Sequence, residues 1–395
     1  MNASVYLNEA GVTCALGDGL DAVGRALFAD DRPHGVAVSE RWSPGRPLAV
    51  GEVPGVLADL SDCPLPLRSR NNALLRMAYA QIRAGCEQAI ARYGAHRVAV
   101  VLGTSTSGIG ETEAVMAQRH AEGPWPARFH YAQQEIGAPS RFLAAESGAR
   151  GPAWTVSTAC SSSAKALASA ARLLRAGIAD AVIAGGADSL CAFTIAGFSA
   201  LEAVSAQRCN PFSQRRNGIN IGEGAALFLL TREPGPVRLA GWGETADAHH
   251  ISAPDPHGAM AVVAVEQALA RAGLRAGDID YVNLHGTATA QNDAMESQVV
   301  AASVGQGVPV SSTKPLTGHT LGAAGAVEAA LCWLSIARNP HALLPPHWWD
   351  GEADPTLPAL AFARPGERAG RPLRHVLSHS FAFGGSNAVL MFGAG

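Results

Sequence analysis

The sequence predicts an α/β fold with largely parallel central strands. Strand-like and helical runs alternate along the chain. The cycle breaks at Pro234-Gly235-Pro236 and restarts in similar form. Two Ala-rich helical runs are each preceded by the same dipeptide, Ser157-Thr158 in the first half and Ser312-Thr313 in the second. That echo points to a duplication without establishing one.

Residues 98–103, Val-Ala-Val-Val-Leu-Gly, read as a buried strand ending in glycine, and residues 155–157 as a shorter one. From Ser161 to about Ala176 the pattern is helical. Leu167, Ala170, Ala171, Leu174 and Ile178 recur at three- and four-residue steps, while Lys165, Ser169 and Arg172 share another face. Gly177 is the expected stop. Residues 181–184 read as a strand closed by Gly185-Gly186, and 225–230 as another. In the second half, 259–272 is helical, 281–284 and 308–311 are strands, and 321–337 is a helix stopped at Asn339-Pro340. Residues 375–378 and 387–392 close as strands. The expected division is 1–233 and 234–395.

The formal net charge of −3 gives no global field toward nucleic acid or an anionic membrane. Seven cysteines, at 14, 63, 86, 160, 191, 209 and 332, are odd in number and widely spaced. No Cys-x-x-Cys pair occurs, so neither a zinc knuckle nor a thioredoxin-type site is indicated. Reduced, buried thiols are expected. Residues 1–7 lack a basic segment followed by an apolar run, and residues 181–204 contain Asp188 and Glu202. The first argues against a signal peptide. The second reads as buried strand plus loop, not a membrane span. A cytoplasmic location is expected.

Residues 156–167 place Cys160 between a strand-like run and a helical one. A helix N-terminus offers unpaired N–H groups and a positive dipole end, which favour a thiolate. Cys160 is therefore a candidate nucleophile. Two further segments carry histidine beside glycine. One is Asn283-Leu284-His285-Gly286-Thr287-Ala288-Thr289, followed by Asn292, Asp293 and Glu296. The other runs from Ser312 through Lys314, His319 and the Gly- and Ala-rich 322–326 to Glu328. Taken singly, each has an ordinary explanation: an inert buried thiol, a loop histidine, a solvated lysine, tight helix packing. Taken together, they do not.

The set resembles the condensing enzymes of fatty-acid and polyketide synthesis, the β-ketoacyl-[acyl-carrier-protein] synthases with a Cys-His-His triad. The motifs that carry the resemblance are Thr-Ala-Cys-Ser-Ser at 158–162, His-Gly-Thr-x-Thr at 285–289, Lys314 with His319, and Phe381-Ala382-Phe383-Gly384-Gly385. Their order and spacing agree over nearly the whole chain. The resemblance implies a thiolase-like fold, a duplicated five-layered αβαβα unit. It implies Cys160 as acyl acceptor, with the backbone N–H groups of Cys160 and Phe383 as oxyanion hole. His285 and His319 would stabilise the enolate left by malonyl decarboxylation, with Lys314, Glu328 and Asp293 in support. Thr287 and Thr289 would hold the pantetheine arm, and Phe381, Phe383 and Gly384 would form a gate. Arg68, Arg70 and Arg208 lie near positions that meet an acidic acyl carrier protein. Asn283, Glu328 and Ser378 lie where some members bind structural sodium or potassium. No redox cofactor or nucleotide is needed. A homodimer is expected, with a heterodimer as alternative.

Departures from the family pattern are informative. Ala382 and His379 stand where glycine and asparagine are common, the latter within the cation positions. Asn217 replaces a frequent aspartate. Ile219-Asn220 is closer to synthases of specialised pathways such as aryl polyene assembly. A degradative thiolase is excluded, because no cysteine follows Cys332. A chain-length factor lacks the nucleophile. The catalytic subunit of a ketosynthase and chain-length-factor heterodimer remains as an alternative. So does a non-catalytic carrier-protein binding subunit with a vestigial cysteine. Gly241-Trp242-Gly243 lacks the third glycine of a dinucleotide loop.

Overall fold

In the computed structural model, residues 4–116, 118–119 and 124–395 are described; Met1, Asn2 and Ala3, part of the segment read for a signal peptide, lie outside them. The first half contributes β1 (Tyr6–Cys14), β2 (Gly17–Asp18), β3 (Ala37–Ser39), β4 (Leu48–Val50), β5 (Val98–Gly103), β6 (Ala153–Val156), β7 (Ala181–Asp188) and β8 (Gly224–Thr231). The second contributes β9 (Val237–Ala246), β10 (Tyr281–Asn283), β11 (Pro309–Ser311), β12 (Ala361–Phe362), β13 (His375–Ala382) and β14 (Ser386–Ala394).

The strand order is itself the duplication. In the first half it runs β1-β8-β7-β5-β6, and in the second β9-β14-β13-β10-β11, with β12 added at the edge. In each half the first two pairings are antiparallel and the next two parallel. β1 meets β9 at Tyr6–Arg238 and Leu7–Val237, which joins the halves into one 12-stranded sheet among the described residues.

Period-two alternation sorts the strand residues between layers. Ala226, Phe228 and Leu230 of β8 face a central core, as do Ala388, Leu390 and Phe392 of β14. Ala225, Leu227 and Leu229 face an outer layer that includes helices Arg70–Ala80 and Ala138–Ser147. Val389 and Met391 face helices Ala259–Ala272 and Ala290–Ser303. Between the two halves of that sheet lie helices Ser162–Arg175 and Ala324–Ala337, and every residue from 324 to 335 is buried. The result is the five-layered αβαβα arrangement.

The two central helices touch because their facing residues are small. A Cβ added at Gly325 would lie 2.8 Å from both Cβ and N of Ala164. Across the same contact, the Ala326 N–H donates to Ser163 Oγ at 2.8 Å. Their N-termini therefore lie side by side.

Three expectations need correction. Gly185-Gly186 does not close its strand; β7 runs on to Asp188. These glycines let backbone approach: a Cβ on Gly186 would sit 2.5 Å from Gly103 O and 2.7 Å from Ser163 Cβ. Residues 192–200, read as loop, form a helix. β1 and β9, which join the halves, were not foreseen. A bulge between Leu7 and Glu9 interrupts the alternation of β1. Gly241 and Gly243 weaken β9 as a pattern, and the structure needs them because helix Ala259–Ala272 lies against the strand. A Cβ on Gly243 would be 1.7 Å from Ala264 O.

Gly103 carries the same constraint directly beneath the nucleophile helix, where an added Cβ would meet Ser163 N at 2.2 Å. Gly103→Ala should destabilise the protein by about 3 kcal/mol, because backbone on both sides must shift. Urea denaturation measures this, and a midpoint equal to wild type would refute the packing argument.

Candidate active site

Cys160 lies two residues before the first residue of helix Ser162–Arg175. Ala159, just before it, is held at φ 50°, in the left-handed region that side chains disfavour. The turn is locked by its own hydroxyls. Ser162 Oγ accepts from Thr158 N at 2.8 Å and donates to Ala159 O at 2.6 Å, while Ser161 Oγ donates to Thr158 O at 2.8 Å. The Phe383 backbone N–H is directed at the sulfur.

The two predicted histidines arrive from the second half. His319 Nε2 is 3.0 Å from Cys160 Sγ. His285 packs edge-on against His319 with ring centroids 5.3 Å apart. One ligand atom from each of Cys160, His285 and His319 lies within 4.8 Å of the others, and all three residues are buried. Lys314 is equally buried; its Nζ donates to Glu328 Oε1 at 2.5 Å and faces His285 Nδ1 at 3.5 Å. An ammonium can only donate, so His285 Nδ1 accepts and its proton resides on Nε2.

The electrostatics follow from burial and that one cation. Burial first, and Lys314 second, hold both His285 and His319 well below the ordinary histidine value. Both are neutral at pH 7. Burial also pushes the Cys160 thiol up to about 11, against the opposing pull of Lys314 and the Phe383 N–H. Burial thus favours the thiol at rest and opposes the thiolate that the helix N-terminus was expected to favour. Glu328 is raised to about 7 by burial, although Lys314 opposes that shift.

A cavity of about 530 Å³ leads to the triad. Thr287 and Thr289 line it, with their hydroxyls 3.0 Å apart, and so does Asn217. A second cavity of about 300 Å³ lies between Cys160, Ile109, Ile136, Phe193 and Leu321. Phe383 lines both cavities, with Gly384 exposed beside it at φ 80°. Phe381 does not share that position. It is buried in β13 behind His285, ring centroids 6.3 Å apart, and supports the imidazole.

The three arginines expected to meet a carrier protein are engaged within the fold. Arg68 donates to Cys63 O and Ser61 O. Arg70 forms a two-pronged pair with the buried Glu223, whose oxygens also accept from Val53 N and Leu190 N. Arg208 donates to the carbonyls of His34, Val36 and Pro315. Arg70 is therefore paired within the fold, whereas Arg68 is exposed and Arg68 and Arg208 donate to carbonyls alone.

For the cation positions, Asn283 and Ser378 are register partners on β10 and β13. Asn283 Oδ1 and Glu328 Oε2 are buried without a hydrogen-bond partner, and Ser378 Oγ has only the Cys332 thiol beside it. Buried oxygens of this kind fit a monovalent cation. The His379 side chain points elsewhere, to Glu296.

Two carboxylates to which the sequence assigned no role support the site. Asp188 accepts from Thr104 Oγ1, Thr106 Oγ1, the N–H groups of Ser105 and Thr106, and the Gly322 N–H three residues past His319. It ties the His319 segment to the first half. Glu296 accepts the N–H groups of His285 and Gly286, each at 2.7 Å. For Asp188 the available signal was an acidic residue ending an otherwise apolar run, which has to find buried donors. Asp293, predicted as support, accepts from Phe212 N and Ala288 N and is raised to about 7 by burial. Ala288 and Leu321 join Ala159 at positive φ, so left-handed alanine or leucine accompanies each triad residue.

A nucleophilic cysteine and two neutral imidazoles, meeting where the halves of a duplicated five-layered fold join, define a condensing-enzyme site. The comparisons with known proteins agree. Residues 72–234 match the β-ketoacyl synthase N-terminal domain and residues 237–347 its C-terminal domain. The chain belongs to the β-ketoacyl synthase family. It is 33% identical over 321 residues to a 3-oxoacyl-[acyl-carrier-protein] synthase 2 of Staphylococcus aureus, covering 75% of this chain and 77% of that one. A 3-oxoacyl-[acyl-carrier-protein] synthase 2 of Rhizobium meliloti is 39% identical over 261 residues, and the match spans 61% of each chain. Among solved structures, a ketosynthase in complex with its chain length factor from Xenorhabdus doucetiae superposes with a TM-score of 0.92. It is 44% identical and covers 100% of this chain and 98% of that chain. Among the described residues no helix is long and apolar enough to cross a membrane.

A raised thiol predicts the pH dependence of Cys160 alkylation. With the folded value near 11, iodoacetamide labelling should accelerate about tenfold per unit from about pH 7 to about pH 10. A rate already on a plateau near pH 7 would show a preformed thiolate instead.

Proposed function

We propose that this protein is a β-ketoacyl-[acyl-carrier-protein] synthase that extends an acyl chain held on Cys160 by decarboxylative condensation with a malonyl group. The observation that carries this reading is the convergence of Cys160, His285 and His319 within 4.8 Å, beside two cavities that Cys160 and Phe383 both line. One cavity suits the carrier arm and the other the acyl chain.

In the first step Cys160 Sγ attacks the acyl thioester carbonyl. His319 Nε2, already at 3.0 Å, takes the thiol proton, so a high resting pKa does not block attack. The oxyanion meets the N–H groups of Cys160 and Phe383. The bond to the pantetheine sulfur breaks, and that thiolate leaves with the proton. In the second step a malonyl thioester enters past Thr287 and Thr289. His285 Nε2–H, in the tautomer set by Lys314, donates to its carbonyl oxygen. The bond to the carboxylate breaks, CO2 departs, and the electron pair is held as an enolate. The carbanion attacks the Cys160 thioester, the sulfur–carbon bond breaks, the Cys160 thiolate takes up a solvent proton, and a β-ketoacyl chain two carbons longer leaves on the carrier. Decarboxylation drives the sequence, so neither oxidant nor nucleotide enters it.

The acyl carrier protein is the proposed partner, with acyl and malonyl groups on phosphopantetheine. Residues 1–233 and 234–395 are read as the two halves, a division supported by the repeated strand order. A sodium or potassium ion at Asn283, Glu328 and Ser378 would neutralise buried oxygens without entering the reaction. A second reading makes this chain the catalytic member of a heterodimer, in a specialised pathway such as aryl polyene assembly. It is favoured by the 44% identity to a ketosynthase solved with its chain length factor. The acyl-side cavity also reaches the surface at Ile136 and Phe193, which are 39% and 64% exposed.

Purified protein given acyl- and malonyl-carrier protein should release one CO2 per β-ketoacyl product. Cys160→Ala should lower condensation by about a thousandfold or more, and His285→Ala should lower decarboxylation by about a hundredfold. Condensation that survives in the Cys160 variant would overturn the reading. Because both imidazoles are held low, decarboxylation should stay level on acidification from about pH 8 to about pH 6. A tenfold loss per unit beginning near an ordinary histidine value would contradict the neutral-donor role.

A further inference from the structure

His379 is fully buried, as is its partner Glu296. Its Nδ1 lies 3.1 Å from Glu296 Oε1, while Nε2 has no hydrogen-bond partner. A carboxylate can only accept when ionised, so Nδ1 carries the proton and donates. The same Oε1 receives the His285 N–H, and Oε2 receives the Gly286 N–H. Asn292 Nδ2 stands 3.4 Å from Oε2. Glu296 thus grips the backbone of the predicted enolate-stabilising histidine, and the His379 imidazole braces Glu296 from the neighbouring strand. The His379 ring also lies 5.1 Å from that of Phe381, which backs His285 from the other side.

We propose that His379 is a positioning residue for the decarboxylation step: through Glu296 it fixes the backbone of His285 and hence the aim of the Nε2–H. It does not touch the reacting atoms. Cys160 and the Phe383 N–H stand outside this linkage, so the acyl-transfer step should be nearly independent of it. A merely structural role would instead affect both steps through the common fold. This inference rests on the condensing-enzyme reading and on the roles given there to Cys160 and His285.

The test separates the two half-reactions. Cys160 acylation by acyl-carrier protein is followed by intact mass, and CO2 release from malonyl-carrier protein is measured alone, in wild type, His379→Gln and His379→Leu. Leucine removes the donor, and glutamine restores one. Loss of a charge-assisted hydrogen bond to a buried carboxylate should lower decarboxylation by about tenfold or more in His379→Leu, with acylation held within about twofold. His379→Gln should recover most of the loss. If the leucine variant fails to fold, His379→Ala is measured instead, with and without added imidazole, and imidazole should restore decarboxylation selectively. An unchanged ratio of the two half-reactions in the donor-less variant would overturn the inference. A wild-type protein that releases no CO2 would instead overturn the reading on which it rests.

Discussion

The contact between Ala164 and Gly325, at the start of the two buried helices, is the constraint on which the site depends. Each half of the chain supplies one helix, and each helix is preceded by a member of the proposed triad, Cys160 in one half and His319 in the other. Small side chains let the helices lie close enough that Ala326 N–H donates to Ser163 Oγ. Bulk at this contact would part the N-termini and with them the sulfur and the imidazole. Asp188 adds a second tie, binding the 104–106 loop and the Gly322 N–H with one carboxylate. The site is therefore a property of the junction between halves, and neither half holds it alone.

One buried ammonium organises the charges there. Lys314 is paired with Glu328 and faces His285, and burial removes the water that would otherwise screen it. The consequence is selective. Protonated imidazoles are disfavoured, so His285 stays a neutral donor through Nε2 and His319 stays able to accept a proton at Nε2. Cys160 feels the same cation as a partial offset to its own dehydration. A neutral thiol beside a neutral imidazole at 3.0 Å places proton and acceptor together before substrate arrives. This arrangement supports nucleophilic attack without a standing thiolate.

Much of this was legible in the residues. The period of 3.6 in 162–175 and the short apolar runs of β5, β7 and β8 identified the layers, and glycine-flanked histidines identified the triad. What the sequence concealed lies in long-range pairings. β1 and β9 read poorly because a bulge and two glycines break their alternation, although these features fit the bulged β1–β8 pairing and the helix against β9. Gly185-Gly186 looked like a strand end because close approach of Gly103 and Ser163 is invisible in one dimension. Arg70 and Arg208 looked like surface charge because Glu223 and the carbonyls of His34, Val36 and Pro315 that receive them come from distant segments. Glu296 could be seen to follow His285 by eleven residues, but not that its two oxygens would hold the His285 and Gly286 amides while accepting from His379.

The central claim is that these tied halves create one acyl-accepting sulfur. The measurement that tests it most directly is the mass of the peptide containing Cys160 after incubation with acyl-carrier protein and removal of excess carrier. The account predicts a single acyl group, labile to hydroxylamine, on Cys160 and on none of the six other cysteines. An unmodified Cys160 peptide, or an acyl group found on another residue, would contradict it.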